Sequence, residues 1–113
     1  MMHYSQVVNG VVGYMDAELI SKFKGTGRAW LAGTAVALFA SRAEAMIRQY
    51  ASHPLVAASG LIDGENIDID AIYAALLDQA RKGSATMQIP LMGAVTFDVS
   101  DVESLYRHIR EGK

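Results

Sequence analysis

Apolar positions crowd the middle of the chain. From Ala29 to Ala40 the only polar side chain is Thr34, and beyond it the pattern narrows to one face, with Phe39, Ala43, Met46, Ile47 and Tyr50 recurring three and four apart. The stretch from Arg28 to Tyr50 therefore predicts a long central helix, apolar on every side in its first half and amphipathic in its second. Glu44 precedes Arg48 by four, the favourable order for a pair across one turn. Such a helix would be about 35 Å long. One end must be covered by something large, or by a second copy of the chain.

The same stretch admits two other readings. A membrane span needs about 20 apolar residues, and Arg42 and Glu44 interrupt the run too early. A secretory leader would have Lys22, Lys24 and Arg28 before the apolar run and the small residues of Ser41-Arg-Ala-Glu-Ala45 after it. It would be an unusually long leader with helical patterning, and a buried helix of a soluble domain is the preferred reading.

On either side the periodicity changes character. Val8, Val12, Met15, Leu19 and Phe23 form a helical stripe over residues 5–24, in which Gly10 and Gly13 each cost about 1 kcal/mol relative to Ala. Either the helix starts after Gly13 or the glycines permit close packing. Gly25-Thr26-Gly27 punctuates the chain, and His53-Pro54 closes the central helix, because the residue before proline is pushed out of helical geometry. Residues 55–61 make one or two helical turns or a buried connector, and Asp63-Gly64 a turn.

A further helix over residues 68–82 buries Ile69, Ile72, Tyr73, Leu76, Leu77 and Ala80, with Gly83 as its stop. The period then becomes two. Met87 and Ile89 alternate with Thr86 and Gln88, and Val95, Phe97 and Val99 with Thr96 and Asp98, which predicts a β-hairpin turning at Pro90-Leu-Met-Gly-Ala94. Ser100 and Glu103 are spaced as a capping box opening a last helix, with Val102, Leu105, Tyr106 and Ile109 on its core face and Gly112 at its end. The expectation is one predominantly helical α+β domain: about four helices around a long apolar central helix, plus one β-hairpin before the C-terminal helix.

Composition sharpens this picture. Half of the residues (51%) are apolar and only 19% charged, and the excess apolar surface of a short chain points to a subunit interface. The absence of cysteine excludes disulfides, thiolate metal sites and a cysteine nucleophile, and fits a reducing, cytoplasmic location. Net charge is only −2, but residues 61–80 carry Asp63, Glu65, Asp68, Asp70 and Asp78 with no Lys or Arg. The clustered basic face of a nucleic-acid binder is missing, and Lys22, Lys24 and Arg28 read as a solvated helix end.

Candidate chemistry is sparse. An EF-hand register through the acidic turn at 63–70 would put Leu61 at a ligand position, so the acids read as a solvated, helix-capping turn, with a divalent-cation site left open. His3, His53 and His108 are not at metal-binding spacing and read as surface or capping residues. No serine lies in a nucleophile elbow, and no glycine motif cradles phosphate. The uncharged hairpin tip is the more informative oddity, since exposed apolar patches mark contact surfaces; the tip either folds onto its own helices or meets a partner, a second copy or another protein.

The segments Ile67-Asp-Ile-Asp-Ala-Ile-Tyr-Ala-Ala-Leu76 and Ser100-Asp-Val-Glu-Ser-Leu-Tyr-Arg-His-Ile109 echo each other at a fixed offset, reading as two helices with one solution for a start and a Tyr-bearing face. The run from Ile67 to Ile109, with IDIDAIYAALLDQ, MQIPLMGAVTFDV and SDVESLYRHI, resembles small uncharacterised proteins encoded by bacterial prophages and mobile elements. The resemblance implies an accessory or assembly protein and brings no activity, ligand or site residue.

The reading that leads is a non-enzymatic, homo-oligomeric interaction protein, a dimer in its simplest form. Trp30, Leu31, Leu38 and Phe39 on the central helix and Leu91 and Met92 at the hairpin tip are its contact residues. It needs no cofactor, nucleic acid or membrane. The alternatives are a binder of a small apolar ligand, in a pocket between the central helix and the Tyr73 and Tyr106 faces, and a nucleic-acid-binding regulator.

Overall fold

The computed structural model describes residues 1–89 and 91–112. The chain opens with a two-residue strand, β1 (Met2–His3), and enters α1 (Tyr4–Tyr14). His3 is the N-cap: its ring accepts from the Ser5 amide while Gln6 reaches back to the His3 amide. The helix continues through a π-helical segment (Met15–Leu19) and a last short piece, α2 (Ile20–Lys22). The first helix is thus found, but its stripe is rotated. Val7, Gly10 and Tyr14 are buried before the π segment and Met15 and Leu19 within it, while Val8 and Val12 are only half-buried. The wider π turn shifts the face that meets the core, which a constant-period stripe cannot anticipate.

Helix α3 (Ala29–Ala51) is the predicted central helix. Only Ala32, Ala35, Val36 and Ala43 are buried on it, so the expectation of a helix covered on all sides does not hold within one chain: Trp30 is 71% exposed. His53 and Pro54 close it and open α4 (Pro54–Ser59), where the His53 ring caps the Leu55 amide, proline occupies the first turn and Gly60 stops the helix at φ 74°. That segment is helical but not a buried connector, since Leu55 is 75% exposed.

Two strands of two residues, β2 (Ile62–Asp63) and β3 (Asn66–Ile67), flank the expected turn at Gly64, and β1 pairs with β3 to complete a small antiparallel sheet. Strands this short leave no alternation to read. Helix α5 (Ile69–Arg81) follows with Asp68 as N-cap, its carboxylate accepting from the Ala71 amide.

Strands β4 (Thr86–Ile89) and β5 (Gly93–Thr96) form the hairpin, with Met87 opposite Val95 and Ile89 opposite Gly93. The second strand is shorter than expected: Phe97 and Asp98 are outside it and Val99 already belongs to α6 (Val99–Glu111). The cap of α6 also moves. Asp98 and Asp101 form the capping box in place of Ser100 and Glu103, because the Asp98 carboxylate accepts from the Asp101 amide and so starts the helix two residues earlier. At the tip, Pro90 lies outside the described residues, Gly93 takes a positive φ as expected, and Leu91 does so too, at 67°.

The core sits where α1 crosses α6. A Cβ placed on Gly10 would lie 2.1 Å from the Ile109 Cα, so the glycine is there for close packing of two helix backbones. Helix α5 also packs against α6, and α3 rests on α1, the π-helical segment and α2.

Candidate functional site

That arrangement leaves a space. Since α3 rests on α1 while α5 rests on α6, the amphipathic second half of α3 stands over α5 and α6 without closing on them. The resulting apolar pocket has a volume of about 330 Å³, within the range of small-molecule sites. Phe39, Ala43, Met46, Ile47 and Tyr50 of α3 form its roof. Val7, Val8 and Val11 of α1 and Ile62 and Ile67 of the small sheet form one side. Ile69, Ile72, Tyr73 and Leu76 of α5, Met87, and Val102, Leu105, Tyr106 and Ile109 of α6 complete it. Polar atoms contribute almost nothing to the wall. Met46 and Tyr50 are 51% and 69% exposed, and they also line a second depression at the α3–α4 elbow, with His53 and Leu55.

Two polar clusters flank the pocket. On α5 and α6, Tyr73 and Tyr106 stack with ring centroids 4.0 Å apart and planes at 16°. The Tyr106 hydroxyl donates to Asp70 Oδ1 at 2.5 Å, and Arg110 both donates to Tyr106 Oη at 2.9 Å and pairs with Asp70. The hydrogen bonds from Arg110 and Tyr106 hold the Asp70 carboxyl below the usual carboxylate range. Beside the roof, Arg48 donates to Tyr4 Oη at 2.7 Å, to Glu44 at 3.2 Å and to Glu65 at 3.4 Å, while Tyr4 donates to Glu44 at 2.9 Å and His3 lies 3.2 Å from Glu65. Tyr4 and Arg48 together lower the Glu44 pKa. This network ties the N-terminus, α3 and the turn between β2 and β3 to one another, and the expected Glu44–Arg48 pair is part of it.

A further cluster is interior. Tyr14, 3% exposed, meets Phe97 and His108 edge-on at 6.0 and 6.1 Å. Burial first, and then the carboxylates of Asp101, Glu18 and Asp98, push its hydroxyl pKa up. His108 has a side chain only 13% exposed, 3.9 Å from Glu18, and is not the surface residue expected. His3 and His53 are the capping residues expected.

The proposed contact residues do not form one group. Trp30 and Leu91 are exposed, at 71% and 58%. Leu31, Leu38 and Met92 are half-buried, and Phe39 lines the pocket. The pocket lies between the central helix and the Tyr73 and Tyr106 faces, as the ligand-binding alternative places it, and the five-residue face Phe39 to Tyr50 supplies its roof. The α1 and sheet residues of the wall were missed because the π segment and the two-residue strands that position them leave no periodic signal.

Acids of the 63–70 turn are engaged separately, Asp68 as a cap, Asp70 with Arg110, and Glu65 with His3 and Arg48. Among the described residues no three His, Cys, Asp or Glu side chains are grouped to hold a metal ion. No helix among the described residues is long and apolar enough to cross a membrane. Compared with protein-family models, curated proteins and solved structures, the chain has no match.

Proposed function

We propose that this protein is a non-enzymatic binding protein whose pocket between α3, α5 and α6 takes a small apolar molecule. The observation that carries the reading is the cavity of about 330 Å³ with a wall almost free of polar atoms, since apolar surface left open to water inside a fold is stabilised by any apolar occupant. A setting in the bacterial cytoplasm, as an accessory protein of a mobile element, accords with the missing cysteines and with the resemblance over residues 67–109.

Titration with the uncharged fluorophore N-phenyl-1-naphthylamine tests it. Saturable binding of one molecule per chain is expected, with a parallel rise in Tm because the ligand binds the native state. Ala43→Phe, which projects a ring from the roof into the cavity, should weaken binding at least tenfold. A linear, unsaturable response would overturn the reading.

A second reading, a homodimer through the first half of α3, is favoured by a different observation. The accessible surface is 6594 Å², against about 6,100 Å² for a typical monomer of 12.2 kDa, and Trp30 stands on that half-helix largely uncovered.

A further inference from the structure

We infer that the pocket takes an apolar molecule bearing no negative charge, so that fatty acids and other anionic amphiphiles are poor occupants; this rests on the ligand-binding reading above. Recognition of a carboxylate needs a cation or a set of amides left free to meet it. The two arginines that flank the pocket are both occupied. Arg110 is held by Asp70 and the Tyr106 hydroxyl, and Arg48 faces the carboxylates of both Glu44 and Glu65.

The surrounding charge acts in the same direction. The segment that builds one wall, from Ile62 of β2 through Leu76 of α5, belongs to the stretch 61–80 with five acids and no Lys or Arg. Its Asp63 has no ion pair among the described residues. Arg48 is one cation facing the two carboxylates of Glu44 and Glu65, and the other positive groups nearby are engaged as well, the His3 ring 3.2 Å from Glu65 and the N-terminal ammonium acting on Asp70. An anionic head seated there would meet like charges within a Debye length, about 10 Å at 0.1 M salt. An uncharged or cationic end meets no such penalty, and the hydrocarbon part gains the apolar wall in either case.

Three probes with one ten-carbon chain separate the possibilities: decanol, decyltrimethylammonium and decanoate, titrated below their micellar range at pH 8 and low salt, by displacement of the fluorophore and by calorimetry. Decanol and decyltrimethylammonium should bind saturably, and decanoate at least tenfold more weakly, with that deficit shrinking in high salt. Asp70→Asn releases Arg110 and Glu44→Gln relieves the crowding of carboxylates at Arg48. In each, the affinity of decanoate relative to decanol should rise at least threefold. Decanoate binding the unmodified protein as tightly as decanol, or a ratio unmoved in both variants, overturns the charge argument and leaves the pocket reading standing. Failure of all three probes to bind overturns the pocket reading, and this inference with it.

Discussion

Gly10 of α1 and Ile109 of α6 meet backbone to backbone: a Cβ on Gly10 would fall 2.1 Å from the Ile109 Cα and 2.9 Å from the His108 carbonyl oxygen. The neighbour is main chain, so nothing can rotate away. Gly10→Ala should therefore destabilise the protein by about 1–3 kcal/mol, the cost of overpacking, despite the gain of about 1 kcal/mol in helix propensity. Gly33, inside α3, has open space where its Cβ would go, and Gly33→Ala should stabilise by about 1 kcal/mol. Urea midpoints of the two variants should move in opposite directions.

Leu91 stores strain at the hairpin tip. It has φ 67°, the only positive value on a non-glycine among the described residues, and is 58% exposed. A side chain with a Cβ costs about 1–2 kcal/mol in that region, and little burial compensates it. Leu91→Gly should raise the urea midpoint, corresponding to about 1 kcal/mol. A lower midpoint would mean that the leucine makes contacts which outweigh its backbone strain.

How much of this was legible in the sequence depended on whether a segment repeats long enough to show its period. Helices α3, α5 and α6 were, because their apolar faces run over several turns and their ends carry His53-Pro54, Asp68, Gly83 and Gly112. The π segment at Met15–Leu19 was not, since one wider turn displaces the stripe without leaving a mark of its own. The cap of α6 was misplaced because two acceptors compete for the role: Asp98 caps the helix in the structure, two residues before Ser100, which fits the same pattern equally well. Within the site, the roof was readable from Phe39 to Tyr50, and Tyr73 and Tyr106 from their shared echo. Their stacking, and the gap that makes a pocket of these faces, follow from α3 resting on α1 while α5 rests on α6, a three-dimensional choice that no local pattern encodes.

Stability should fall at both ends of the pH scale for identifiable reasons. Asp70 and Glu44 have pKa values lowered in the folded protein by their hydrogen bonds to Arg110 and Tyr106 and to Tyr4 and Arg48. Their contribution is present above the unfolded carboxylate value of about 4 and is lost as pH falls through the folded values. Tyr14 is the reverse case: its raised pKa gives a contribution that is full below the unfolded value of about 10 and lost as pH rises above it. Urea midpoints measured across pH should show both limbs, the acid one shallower in Asp70→Asn and the alkaline one shallower in Tyr14→Phe.

Trp30 offers a direct test of the dimer. It is the only tryptophan in the chain and stands 71% exposed on α3, on a half-helix whose side chains are apolar apart from Thr34. If a second copy covers this face, light scattering should give about twice the chain mass of 12.2 kDa, and dilution should shift the Trp30 emission to the red as the indole returns to water. Trp30→Glu should yield monomer, because an unpaired carboxylate in the centre of an apolar interface opposes association. Leu38→Glu, eight residues further along α3, should do the same. A mass of 12.2 kDa with red, concentration-independent emission would remove this face from any self-association and leave the pocket as the main apolar feature calling for an occupant.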